Sequence, residues 1–231
     1  MFFFYDPRYL CFMAPAFLLM LLAQMYVSSA YRRWSRVPLR SGLTGAEVAD
    51  YLARRAGVAV RIEPVRGFLS DHYDPRTRTL RLSPDNFYGR SVAAAAVSAH
   101  ELGHALQHAS NYKPLALRSA MVPAVQFGSY LGWIFLMLGF VLRWANLIWL
   151  GVGVFAIGVA FTLVTLPVEF NASARAKRLL QQTGLVRGQD EVRGVNQVLN
   201  AAALTYVAAF FSALMQLLYY VTLASSFSRR D

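Results

Sequence analysis

Hydrophobic positions follow two different rhythms along this chain. Four runs carry no charged residue: Tyr9 to Val27, Ser119 to Leu142, Trp144 to Pro167, and about Ala201 to Ala224. About 20 apolar residues in an α-helix cross the hydrocarbon core of a bilayer, so each run predicts a transmembrane helix. Only Arg143 separates the second from the third, which predicts a tight membrane hairpin. The segments 28–118 and 168–200 alternate polar and apolar residues at shorter intervals and predict water-facing structure.

Residues 28–118 read as a small α+β domain. Thr44-Gly45-Ala46-Glu47 is a capping box that opens a helix running to about Ala56 and stopping at Gly57. Three β-type runs follow, Val58 to Ile62, Gly67 to Leu69 and Thr79 to Leu82, with Asp74-Pro75-Arg76 as a turn before the last. Ser83-Pro84 suits a helix start, with proline at the first position. The short sheet is either a plain structural hairpin or an edge to which an extended peptide adds as a further strand. In the later segment, Val168 to Gln182 reads as a helix that ends at Gly184.

Composition agrees with the runs. Hydrophobic residues make up 56% of the 231, charged ones only 15%, which is too apolar for an ordinary soluble domain. The net charge of +11 suggests nucleic acid in a soluble protein, but basic clusters beside membrane spans explain it better, and no aromatic–basic recognition motif accompanies it. No nucleic-acid partner is expected. The first run resembles a signal peptide only weakly, because Arg32, Arg33, Arg36 and Arg40 follow it instead of preceding it. It reads as an uncleaved anchor. With the N-terminus outside, 19 of the 23 Lys and Arg fall on the cytoplasmic side, as the positive-inside rule requires. The expected fold is mainly α: a multi-pass protein of the cell membrane, with about four transmembrane helices and a small α+β domain facing the cytoplasm. Cys11 is the single cysteine, so an intramolecular disulfide is excluded and any zinc must be held by His and carboxylate.

The candidate chemistry lies at His100-Glu101-Leu102-Gly103-His104, after the alanine-rich lead Val92 to Ala99. Alanine favours helix, and residues four apart on a helix point the same way. His100 and His104 can therefore share one zinc ion, while Glu101, about 100° around the helix from His100, can reach a water bound there. With four His and five Glu in the chain, this spacing arises by chance on the order of once in a thousand such chains. The plain alternative is a helix with two surface histidines.

A catalytic zinc takes three protein ligands and keeps a fourth position open. A third histidine at the spacing of the extended motif is excluded, because position 107 is Gln and position 110 is Ser. Three histidines four apart spread too far along a helix, so His108 reads as a cation near a helix C-terminus. The downstream carboxylates are Glu169, Asp190, Glu191 and Asp231. Glu169 follows Pro167 at the end of the third run and, two spans after His104, returns to the same side of the membrane. Ala172 and Ala176 are small enough for its helix to approach the zinc helix. The alternative is a Glu that stabilises a helix N-terminus. Asp190 and Glu191, flanked by Arg187 and Arg193, read as a solvated loop.

Several blocks resemble the bacterial neutral zinc metallopeptidases of the YugP-like type: Ser70-Asp71-His72-Tyr73-Asp74-Pro75, Leu80-Arg81-Leu82-Ser83, Ala99 to Gln107, Pro167 to Ser173, and Val198 to Val207. They occur in the family's order and cover most of the chain. The resemblance implies a multi-pass membrane zinc peptidase with one Zn²⁺ per chain on His100, His104 and Glu169. Candidates for an oxyanion donor are His72, Tyr73, Arg175 and Tyr206, each with a structural alternative. Asn171 or Ser173 either orients a zinc-bound imidazole or caps a helix.

The reading that follows is a membrane-embedded zinc metalloendopeptidase with Glu101 as general base. Its partners are protein or peptide substrates, membrane proteins among them, and the lipid bilayer. One rival is a non-cleaving, zinc-stabilised scaffold or adaptor, against which the intact Glu101 argues. Another is a transporter with His and Glu along an ion path, against which the motif's place outside the apolar runs argues.

Overall fold

The structure, a computed structural model, describes residues 6 to 228. Over these residues the protein is mainly helical, with four candidate membrane-spanning helices and one small sheet. In chain order the elements are α1 (Pro7–Trp34), α2 (Gly45–Arg55), β1 (Arg61–Pro64), β2 (His72–Asp74), β3 (Thr79–Leu82), α3 (Pro84–Phe87), α4 (Val92–Ala109), α5 (Lys113–Val141), α6 (Ala145–Gln182) and α7 (Gly188–Ser228).

The chain forms two compact units. One holds α1 up to Leu22, the chain from Leu117 to Leu166, and α7 from Thr205 onward. Its core joins Leu136, Ile148 and Val152 to Tyr219, Tyr220 and Ala224. Glycines let α5 and α6 touch closely: a Cβ on Gly139 would lie 2.8 Å from the Ile148 backbone nitrogen, the small-residue contact common in membrane helix pairs. Only 17–22% of the most apolar stretch of each candidate span is buried, so apolar side chains such as Phe127, Leu131 and Leu163 face outward, as lipid-facing surfaces do.

The second unit comprises Ala23–Ala116 and Pro167–Leu204. The capping box forms as the sequence predicts: Thr44 Oγ1 accepts from the Glu47 amide and Glu47 Oε2 accepts from the Thr44 amide, at 3.2 and 2.7 Å. The helix ends at Gly57, whose φ of 68° suits a residue without Cβ. The sheet has the order β1-β3-β2, with β1 parallel and β2 antiparallel to β3. Strand β3 lies where the sequence puts it. The first run is shifted towards Pro64, and 67–69 is not a strand: Gly67 and Leu69 have positive φ, so extended pairing breaks and the second strand forms only at His72. The turn before β3 is closed by Asp74, whose carboxylate accepts from the Arg76 amide, Thr77 Oγ1 and Arg81. Those bonds, Thr77's first, hold the Asp74 pKa down at about 2.

Asp71 fastens the entry to β2. It accepts from the Ser83 amide and hydroxyl and from Asn86 Nδ2, and Asn86 Oδ1 accepts from Tyr31 of α1. The core of this unit gathers Val48 and Leu52 of α2, Leu80 and Leu82 of β3, the alanine face of α4 with Leu102, and Leu180 and Leu199. The helix carrying Glu169 does not begin at Val168. It continues α6 through Pro167, because a proline inside a helix bends it without necessarily ending it.

Candidate metal centre

Helix α4 starts at Ser91, whose hydroxyl accepts from the Ala94 amide, and its alanine face is fully packed. Against it lies the part of α6 after Pro167. Gly103 has no Cβ where Ala172 backs onto it, and Ala172 and Ala176 are wholly buried. Small residues on both sides let the two helices approach closely.

That approach brings Glu169 to the histidine pair. Glu169 Oε2 is 3.2 Å from His100 Nε2 and 3.5 Å from His104 Nε2. One donor atom from each of the three residues lies within 4.8 Å of the others. The imidazoles are edge to face, with centroids 4.9 Å apart. Ligand atoms of a tetrahedral zinc with bonds of about 2.0–2.1 Å stand about 3.3 Å apart, so the Glu169-to-imidazole spacings fit that ion, as does the nitrogen, nitrogen and oxygen donor set. Glu169 is 2% exposed. Burial opposes its charge, but hydrogen bonds from His100 and His104 outweigh that and hold its pKa well below the usual carboxylate range. For His104, burial opposes protonation, yet the Glu169 hydrogen bond and the Glu101 charge prevail and raise its pKa.

The outer nitrogens of both rings are also engaged. His100 Nδ1 is 3.1 Å from Ser173 Oγ, and His104 Nδ1 is 3.0 Å from Gln107 Oε1. Amide oxygens only accept, so His104 carries its proton on Nδ1 and turns Nε2 towards Glu169. Gln107 is itself fixed: Nε2 donates to the Val168 carbonyl at 2.7 Å and to Asn171 Oδ1 at 3.1 Å. Arg175 Nε donates to the same Asn171 oxygen at 2.8 Å, and its guanidinium lies over Tyr112. Ser173 thus touches an imidazole directly, while Asn171 and Arg175 act through Gln107. Sequence reasoning missed Gln107, although a glutamine on the buried face of a helix, three residues past His104, signals a fixed partner.

The other candidates separate. Glu101 is buried on α4, close enough for its charge to act on His104. Tyr73 bonds through its hydroxyl to His108 Nδ1 at 2.9 Å. Its neighbour His72 points to the opposite face of the strand, where its Nδ1 donates to the Ser70 carbonyl and the ring is exposed. Tyr206 lies on α7 in the other unit. Of the two acids expected on a solvated loop, Asp190 is exposed, but both lie in the first turn of α7. Glu191 is not solvated. It is 2% exposed and accepts from the Arg40 and Arg187 amides at 2.7 and 2.6 Å.

Two histidines four apart on one helix, met by a glutamate from a second, form a donor set that could hold a metal ion. The family described as "putative neutral zinc metallopeptidase" matches residues 9–225, and the chain belongs to it. It is also 48% identical over 200 residues to the protein named "Putative membrane protease YugP" of Bacillus subtilis (strain 168), covering 86% of this chain and 88% of that one. No solved structure matches it.

Proposed function

We propose that the protein is a membrane zinc endopeptidase in which His100, His104 and Glu169 hold the metal and Glu101 is the general base. The observation that carries this reading is the convergence of those three donors on one point, within 4.8 Å, with Glu101 buried on the same helix. Zinc held there supplies a Lewis acid that acidifies water and polarises a peptide carbonyl. Glu101 takes the proton from the attacking water and passes it to the leaving amine. Gln107 keeps His104 in the tautomer that presents Nε2, and Ser173 holds the orientation of the His100 ring. Tyr73, paired with His108 one turn beyond His104, offers a donor for the oxyanion.

The basic segments 32–118 and 175–193 support a cytoplasmic site. Its place along the chain, between apolar runs, favours membrane proteins and their juxtamembrane segments as substrates. The test is cleavage-product proteomics in the native membrane, comparing wild type with Glu101→Gln. The variant should keep zinc by elemental analysis and lose the cleavage products. Unchanged products would refute the base assignment.

A further inference from the structure

A cleft of about 690 Å³ opens in the unit that holds α4, beside the last turn of α1. Arg32, Arg36 and Arg90 line it against one carboxylate, Asp85. None of the three arginines has an acid within salt-bridge distance among the described residues. Arg90 donates instead to the Gly42 carbonyl. Three guanidinium groups facing one carboxylate leave the cleft with an excess of positive charge.

Its apolar wall is aromatic. Buried Tyr31 meets Phe68 edge-on, with centroids 5.7 Å apart. Phe68 is 68% exposed and nearby Tyr88 is 64% exposed. The loop bearing Phe68 turns through Leu69 at a φ of 50°, a conformation costly for leucine, and it leaves both apolar side chains facing out. Exposed aromatics beside arginines match the membrane–water interface, where rings sit at headgroup depth and cations meet phosphates.

The location agrees. Helix α1 is continuous from Pro7 to Trp34, and its apolar run ends at Val27. At about 1.5 Å per residue, Arg32 lies roughly 7.5 Å beyond that end. The headgroup layer is itself about 5–8 Å deep.

We propose that this cleft binds the headgroup of an anionic phospholipid, of the phosphatidylglycerol type. Arg32 and Arg36 pair with the phosphate oxygens, a match that the guanidinium fork makes well. Asp85 and Ser35 accept from headgroup hydroxyls, and Phe68 and Tyr88 meet the start of the acyl chains. Gly89, Arg90 and Ser91, which lead into α4, form part of the wall. A bound phosphate therefore stands near the positive end of the helix that carries His100 and His104. The site does not depend on the zinc reading.

The test uses the full-length protein in detergent, titrated with short-chain phosphatidylglycerol or phosphatidylcholine and followed by native mass spectrometry. One phosphatidylglycerol per chain should be retained, and phosphatidylcholine should not. Arg32→Gln with Arg36→Gln should weaken retention on the order of tenfold or more, and Phe68→Ser should weaken it further. Arg33→Gln with Arg55→Gln removes the same charge from exposed positions outside the cleft and should leave retention intact. Inorganic phosphate should displace the lipid only at far higher concentration. Equal loss in both double variants means diffuse surface charge and overturns the proposal. So does equal binding of the two lipids, or displacement by phosphate at matching concentration, which would mark a site for a soluble anion.

Discussion

Gly103 faces the backbone of Ala172 so closely that a Cβ on Gly103 would stand 2.6 Å from the Ala172 carbonyl oxygen and 3.1 Å from its Cα. Both are backbone atoms, so a methyl group there must push the helices apart. Since α4 carries the two histidines and α6 carries Glu169, the same displacement separates the donors. Gly103→Ala should destabilise the protein by about 1–3 kcal/mol and weaken zinc binding, read by thermal unfolding and by competition with a chelator. Gly153→Ala, where a Cβ meets nothing within 4 Å, serves as the control and should be neutral or slightly stabilising.

Gln107 ties His104 to the backbone of α6 and to Asn171. Removing its amide frees the His104 ring to rotate and to place its proton on Nε2. Gln107→Ala should lower zinc affinity by about 10–100-fold while the protein still folds. Ser173→Ala frees the His100 ring in the same way. Zinc affinity unchanged in both variants would mean that packing alone orients the rings.

The parts of the fold that depend on local signals were legible in the sequence. The Thr44–Glu47 box, the stop at Gly57, strand β3 and the apolar runs each arise from residues that are neighbours along the chain. The histidine pair was legible for the same reason, because helical periodicity alone sets its geometry. Strand β2 was not, since positive φ at Gly67 and Leu69 depends on how the loop packs. The burial of Glu191 was hidden too: its partners are the amides of Arg187 and the distant Arg40, and the flanking arginines imitate a solvated loop. Glu169 was picked out by its place after the third apolar run, its return to the motif's side of the membrane and the small Ala172 and Ala176; of the features expected around it, only a helix opening at Val168 fails, because α6 is continuous there. Mid-helix, its carboxylate faces no free helix N-terminus, and the two histidines are its partners.

Glu169→Gln keeps the shape of the side chain but removes its charge, so zinc should be lost at concentrations that saturate the wild type. Asp190→Asn is the appropriate control and should bind normally. Glu191→Gln should lower stability instead, because its carboxylate accepts from two amides in a buried site, and charged hydrogen bonds of this kind contribute about 1.5–3 kcal/mol each. Its zinc affinity, measured below the unfolding transition, should be unchanged. Wild-type affinity in Glu169→Gln, with loss in either of the others, would move the third donor to the 187–191 segment.

Orientation in the membrane gives a further expectation. Arg40 is exposed, and its amide donates to Glu191. A cysteine introduced as Arg40→Cys, in a Cys11→Ser background, should resist an impermeant thiol reagent in intact cells and react once the cells are opened. Ready labelling from outside would put the metal centre on the outer face.

The metal-free protein should have an uneven pH dependence. The His104 pKa is raised above its ordinary 6.5, so its contribution to stability is complete below about 6.5 and is lost as pH rises through the raised value. The Glu169 pKa is lowered from 4.5, so its contribution is present above about 4.5 and is lost only as pH falls well below that. The interaction between the two is therefore fullest between those limits, and the metal-free protein should lose stability from pH 6.5 towards 8. Zinc requires a neutral His104, so its affinity should rise over the same interval as protons cease to compete. Glu169→Gln removes the hydrogen-bonded charge that does most to raise His104, leaving only the Glu101 charge and the Gln107 hydrogen bond against burial, and should shrink the alkaline loss in the metal-free protein. Thermal unfolding with and without chelator at pH 6, 7 and 8, beside zinc competition at each pH, separates the two trends. Metal-free stability that climbs from pH 6 to 8 would mean that the imidazole and carboxylate are not paired as described.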